Sequence, residues 1–340
     1  MQEPIVPTLS SDRPDPILLK SALKKDAQNG MLYDESLGID KKVSTLAIGG
    51  MILNTAPQAT AIFDSFFAAG GTVLDTAYVY GKGEVDRLLG EWVNSRGVRE
   101  QVVVIAKGAH TPHCRPDAIA PQLAESLERI GTGYTDLYFM HRDDPAVPVG
   151  EFVDVLDELC HAGKIRKYGG SNWSLARMDE ANAYARAHGK RGFELLSNNF
   201  SLAEMVAPMW PGCISSSDPD SIAWLQRTQT PIFAWSSQAR GFFTDRAGRD
   251  KFDDPTLVNC WYSDVNFARR DRVHELAGRL KISPAQVALA YLFVQPFPVF
   301  PIIGPASLEE LRDSMGALRV DLSPADANWV RTGEQRQVAL

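Results

Sequence analysis

The sequence has no excess of positive charge, no paired cysteines and no long unbroken apolar run, and each absence removes a class of function. Its 35 Lys and Arg against 42 Asp and Glu leave a net charge of -7 and a pI near 5.5. A surface that binds nucleic acid or an anionic membrane usually carries a basic excess. Neither is therefore expected as a partner, and a small molecule is. Cys114, Cys160, Cys213 and Cys260 are spread along the chain with no CxxC pair. That spacing suits reduced thiols in a cytoplasmic protein and not a disulfide scaffold. The opening MQEPIVPTLSSDRPDP lacks a basic stretch followed by an apolar one, and the late apolar segment YLFVQPFPVFPII is broken by three prolines. Neither secretion nor a membrane span is expected.

What is present is a repeated alternation. Residues 1–37 are polar, proline-bearing and weakly periodic, and read as an amino-terminal extension, partly disordered, with a short helix at Leu18 to Asp26. From 38 to 340 a single domain is expected. Short β-branched runs recur as VSTLAIGG, TVLDTA, VVVIAK, DLYFMH, KIRKYGGS, ELLSNN, PIFAWSS and VFPIIG. Between them lie amphipathic stretches with helix-start signals at Ala56-Pro57, Arg115-Pro116-Asp117 and Ser283-Pro284, and glycines at helix ends at 70, 131, 163 and 189. Eight strand-then-helix units in one chain predict an α/β fold of the (β/α)8 TIM-barrel type.

In a parallel barrel all carboxyl-terminal strand ends meet on one face, where active sites form. The polar residues fall there: Asp75 ends the second strand, Lys107 the third, His141 the fourth, Ser171 and Asn172 the fifth, an asparagine pair the sixth, and Trp235-Ser236 the seventh. Singly, each reads as a cap, a solvated charge or a packing aromatic. Ionisable groups ending three successive strands are harder to explain that way. The cluster His110, His113 and Cys114 in HTPHC has no distal ligand set to match, so no metal is expected.

The blocks DTAYVYG, VIAKG, LYFMHRDD, GGSNW, AWSSQARGFFTDR and VFPIIGPASLEEL resemble, in this order, the aldo-keto reductase family, in the branch similar to potassium-channel β subunits and bacterial general-stress reductases. The resemblance runs from about Lys41 to Val330. It implies an NAD(P)H-dependent reduction of an aldehyde or ketone with Asp75, Tyr80, Lys107 and His141 as the catalytic tetrad. Reduction needs a proton for the developing alkoxide. A free tyrosine is too weak an acid unless a cation stabilises its phenolate, and Lys107 suits that role, oriented by Asp75. Tyr80, directly before Gly81, matches the family acid better than Tyr78. Channel β subunits suggest an alternative, a cofactor-binding interaction module, against which the intact tetrad speaks.

The resemblance also implies a cofactor site. Ser171 and Asn172 match the carboxamide-binding pair, Trp235 the aromatic under the ring, and Ser236 and Arg246 the phosphate contacts. Arg246 also reads as a solvated loop charge. Gly304 leads into a helix start suited to an anion, and Met51 ends strand one. The family glutamine is replaced by Ser197. Family habit favours NADP(H), whereas Ala306, Glu310 and Ser314 depart from the 2′-phosphate pattern, and a carboxylate at 310 suggests NAD(H) or dual use. Glu84 reads as a first-turn acid favoured by the helix dipole or as a cofactor contact. Trp173, Phe200, Trp210 and Trp261 are expected to line a substrate pocket for a sugar or similar carbonyl compound. The segment from Met205 to Asp220 is expected to act as its lid.

Overall fold

The computed structural model describes residues 23–334. Eight parallel strands close into a barrel in sequence order: Ala47–Gly49 (β1), Val73–Asp75 (β2), Val103–Gly108 (β3), Thr135–Met140 (β4), Ile165–Ser171 (β5), Leu195–Ser197 (β6), Ile232–Ala234 (β7) and Val299–Ile303 (β8), which pairs back onto β1. All eight expected apolar runs supply a strand. The surrounding helices are Ala56–Ala68 (α1), Glu84–Arg96 (α2), Pro116–Ile130 (α3), Val149–His161 (α4), Leu175–Ala187 (α5), Pro219–Thr228 (α6), Pro255–Trp261 (α7), Asp264–Leu280 (α8), Pro284–Phe293 (α9), Leu308–Gly316 (α10) and Pro324–Thr332 (α11).

Strand alternation sorts the side chains into two layers. Val103, Ile105, Leu137, Phe139, Phe233 and Phe300 point inward and fill the barrel, with Phe233 stacked on Phe300 at 4.6 Å. Their neighbours Val104, Tyr138 and Met140 face the helices. Each buried ring contributes about 1.5–3 kcal/mol. The helices begin and end where local chemistry dictates. Ser283 caps α9 by accepting from Gln286 N at 3.1 Å, with Pro284 in the first turn. Gly131 ends α3 at φ 72°, a conformation open to glycine at little steric expense.

The described part of the expected extension packs against the barrel. Lys24–Lys25 pairs antiparallel with Leu32–Tyr33, where a helix was expected; Leu18 to Ala22, the start of that helix, lie outside the described residues. Met31 is fully buried, Tyr33 Oη donates to Gly70 O at 2.7 Å, and Leu37 joins the interior cluster. Burial of these apolar side chains explains why the polar character of the first residues does not extend to position 37.

At the start of β4 the fully buried Asp136 accepts from Arg99 Nη1 at 2.8 Å and from Val104 N at 3.0 Å, and pairs with Lys41 at 2.9 Å. Arg99 and Arg166 stand over the Tyr134 ring at 3.9 and 4.8 Å. This network ties the segment before β1 to β3, β4 and β5. It lies at the strand starts, opposite the site described next.

Candidate active site

Register brings the first groups together. Asp75 at the end of β2 pairs with Ile105 of β3, and Lys107, two residues on, shares the inward face of Ile105. The Lys107 ammonium therefore meets the Asp75 carboxylate in a buried ion pair. His141 follows β4 on the same inward series as Leu137 and Phe139, its backbone N–H donating to Gly108 O at 2.7 Å. The chain after β2 then turns through Tyr80–Gly83, with Gly81, Lys82 and Gly83 all in the left-handed region. Gly83, at φ 91°, takes a backbone conformation that favours glycine, and a Cβ there would displace the Arg129 guanidinium. The turn aims Tyr80 back over the strand ends.

There Lys107 Nζ donates to Tyr80 Oη at 3.2 Å and sits 4.9 Å from the ring centroid. The His141 ring meets the Tyr80 ring edge-on at 5.6 Å. Asp75, Tyr80, Lys107 and His141, far apart in sequence, thus converge. Tyr78 does not join them: its hydroxyl donates to Glu125 at 2.8 Å and Arg129 covers its ring. Glu84 is an exposed first-turn acid of α2.

Burial sets the electrostatics. It pushes the Tyr80 hydroxyl up from its ordinary value while Lys107 pulls it back. Burial opposes charge on Lys107, but Asp75 and Tyr80 outweigh it and hold the ammonium above its usual range. The Asp75 carboxyl is raised by burial and opposed by Lys107. Burial, with Lys107, Arg142 and His110 adding their charge, drives His141 well below the ordinary imidazole value, so it is neutral at pH 7. The arrangement can hold a proton on Tyr80, stabilise the phenolate left after its transfer, and offer an uncharged imidazole donor beside it.

The other expected site residues divide. Ser171 and Asn172 end β5 close to His141. Asn172, at φ 57°, donates from Nδ2 to Ser171 Oγ at 3.1 Å and to His141 O at 3.4 Å, while its Oδ1 accepts from Ile214 N at 3.1 Å. Trp235 is half-buried and its indole Nε1 has no partner. Ser236, Ala239 and Arg240 all have positive φ, so the loop after β7 is held in a strained course. Arg246 Nη2 donates to Asp254 at 3.1 Å, and Arg240 Nε donates to the same oxygen at 3.1 Å. Gly304 and Ala306 are exposed at the start of α10, and Met51 is exposed after β1. Glu310 accepts from Ala306 N at 2.7 Å, a capping role within its own helix start.

Several expectations are corrected. Trp173, Phe200 and Trp261 are fully buried core residues and line no open pocket. Trp173 packs on Phe152 and Phe193, and Phe200 on Phe297. Large rings near strand ends fill the layer between strands and helices, and a sequence position does not disclose that direction. Ser197 is fully buried with its hydroxyl donating to Phe233 O at 2.9 Å, so it cannot stand in for the absent glutamine. Ser314 is buried and accepts from Gln238 Nε2 at 3.2 Å, which takes it away from any phosphate. Trp210 alone of the four expected pocket aromatics is exposed. The segment from Met205 to Asp220 is pinned by Asn199 and Asn172 through Ile214 and Ser216, and its last residues open α6.

The sequence reading passed over Arg142, Arg240, Gln238 and Asp254. It set His110 aside with the metal motif, yet its ring stands 4.8 Å from that of His141. For Arg142 a signal existed, since it directly follows His141. The partners of the other three lie in loops whose paths the sequence does not specify. Among the described residues no group of three His, Cys, Asp or Glu could hold a metal, and no helix is long and apolar enough to cross a membrane.

A closed parallel barrel carries a tyrosine, a lysine, a carboxylate and a neutral histidine converging at its strand ends, an arrangement able to hold and hand over a proton. Residues 45–332 match the model of the Aldo/keto reductase family, and the chain belongs to that family. It is 30% identical over 290 residues to an aryl-alcohol dehydrogenase [NADP(+)] of Phanerodontia chrysosporium, covering 79% of this chain and 74% of the relative. It is 26% identical over 321 residues to norsolorinic acid reductase B of Dothistroma septosporum, covering 85% and 78%. An aldo-keto reductase from Klebsiella pneumoniae, solved in complex with NADPH, superposes with a TM-score of 0.66 at 24% identity over 88% of this chain and 95% of that one.

Proposed function

We propose that the protein reduces an aldehyde or ketone to an alcohol with NADP(H), and that the carbonyl carries an apolar, aryl body. The observation that carries the reading is the convergence of Lys107 on Tyr80 at 3.2 Å with Asp75 paired to the same ammonium. A reduced nicotinamide, when bound, supplies the hydride. Tyr80 delivers the proton to the carbonyl oxygen, Lys107 stabilises the phenolate that results, Asp75 holds Lys107 in place, and neutral His141 donates to the same oxygen.

The residues at the mouth fit such a cofactor in part. His141 Nδ1, Asn198 Oδ1 and Trp235 Nε1 are buried polar atoms without partners, and all follow barrel strands at their carboxyl ends. Orphaned polar atoms at these strand ends are ones a polar ligand would satisfy. Ser171 and Asn172 would hold the carboxamide, Trp235 the ring, and Arg240 with Arg246 the pyrophosphate. The name of the aryl-alcohol dehydrogenase relative supports NADP(H). Glu310 favours NAD(H) as a second cofactor, because its carboxylate already takes the Ala306 amide that a 2′-phosphate would approach.

An aryl body replaces the sugar expected from the sequence, since three of the four rings invoked for stacking are buried. Of the seven exposed large hydrophobic side chains among the described residues, five follow strand ends: Met51, Val79, Val206, Trp210 and Phe252. Covering such a rim with one aromatic ring is worth about 2–3 kcal/mol. The test is oxidation of NADPH, and in parallel NADH, by purified protein with benzaldehyde as substrate. Cofactor binding without turnover of any aldehyde or ketone would overturn the reading.

A further inference from the structure

Arg142 is a buried cation without a counterion. It directly follows His141 at the end of β4 and is only 6% exposed. Its Nη1 donates to the His141 carbonyl at 2.8 Å, its Nη2 reaches only the weak acceptor Cys213 Sγ at 3.5 Å, and its Nε is buried with no partner. Among the described residues no carboxylate lies within ion-pair distance. The two acids that follow it are committed elsewhere: Asp143 forms a two-pronged pair with Arg177 at 2.9 and 3.1 Å, and Asp144 accepts from Ala146 N at 3.0 Å. Arg269, the other arginine buried this deeply among the described residues, is paired with an acid, Glu204. A buried guanidinium left in this state is unfavourable, and an acceptor anion would relieve it.

Position identifies the anion. The guanidinium is anchored to the backbone of His141, whose ring meets Tyr80 where the carbonyl must sit. The covering loop passes directly over the guanidinium stem: Gly212, at φ 76°, lies so close that a Cβ there would stand in van der Waals contact, 3.6 Å from Arg142 Cδ and 3.7 Å from Nε. From these observations we infer that Arg142 is a specificity residue for the proposed reduction, binding a carboxylate borne by the carbonyl substrate, which enters beneath the loop that carries Cys213. The inference rests on the reductase reading, and it narrows the substrate to an aryl aldehyde or ketone bearing a carboxylate. A planar carboxylate can accept two N–H groups from the guanidinium fork, a geometry that a neutral ester cannot match in charge.

The experiment compares 4-carboxybenzaldehyde with its methyl ester, methyl 4-formylbenzoate, by kcat/KM with NADPH. The wild-type protein is expected to favour the acid by ~10-fold or more, and Arg142→Met to collapse the acid-to-ester ratio by ~10- to 100-fold. Using the ratio cancels any general loss of activity in the variant. Should Arg142→Met fail to fold, the wild-type protein still decides: the acid-to-ester ratio should fall with rising ionic strength, and benzoate should compete with the ester. A wild-type ratio near one, insensitive to salt, overturns the inference while leaving the reductase reading intact. Cofactor binding with turnover of neither aldehyde, nor of benzaldehyde or any other aldehyde or ketone, sinks the reductase reading instead.

Discussion

Replacing Tyr80 by phenylalanine deletes one oxygen and leaves the ring where it stands against His141. That oxygen accepts from Lys107 Nζ at 3.2 Å and, in the proposed reaction, is the group that protonates the substrate. Loss of a positioned general acid lowers kcat by ~10²- to 10⁴-fold, or about 3–5 kcal/mol in the barrier. Stability should fall by about 1–3 kcal/mol, the worth of one buried hydrogen bond from a charged donor. NADPH affinity, read by quenching of tryptophan fluorescence, should stay within ~3-fold, because the phenol acts on substrate and not on cofactor. Tyr78→Phe is the matched control: its hydroxyl is bonded to Glu125 outside the cluster, and kcat should fall by less than ~3-fold, since a surface hydrogen bond is worth little. Steady-state kinetics on benzaldehyde with NADPH compares the two variants. Full activity in Tyr80→Phe, or an equal loss in Tyr78→Phe, would refute the assignment of the acid.

Three more outcomes are expected. His141 titrates below its unfolded value, so below pH ~6.5 the unfolded chain binds a proton that the folded one refuses, and stability falls by up to about 1.4 kcal/mol per pH unit. His141→Gln should lack that part of the slope, and parallel melting-temperature profiles between pH ~7 and ~5 for variant and wild type would contradict it. Glu310→Arg should raise the NADPH-to-NADH ratio of kcat/KM by ~10-fold through replacing a like charge with an opposite one; an unchanged ratio would put Glu310 away from the ribose. Asp136→Asn strips Lys41 and Arg99 of their shared carboxylate and should cost about 3–5 kcal/mol in urea unfolding with KM unaltered; a loss under ~1 kcal/mol would show the network to be dispensable.

The sequence by itself determined the barrel and the four residues that converge at its strand ends. Strand and helix periods differ, so eight apolar runs separated by capped amphipathic stretches leave few folds open. Parallel register then fixes where strand-end residues meet: Asp75 two positions short of Lys107 in the pairing of β2 with β3 is already implicit in TVLDTA and VVVIAK. Tertiary structure alone decided what the loops do, because a loop's path depends on contacts distant in sequence. Trp173, Phe200 and Trp261 read as pocket walls and are core, since the space they fill lies between elements that the local sequence does not describe. Ser197 turned its hydroxyl to Phe233, and Glu310 turned its carboxylate to Ala306, each satisfying the nearest buried or helix-end group. Arg142 stands as a plain charge in the letters HRDD. Its meaning comes from the acids that bind other partners and leave it alone beside His141.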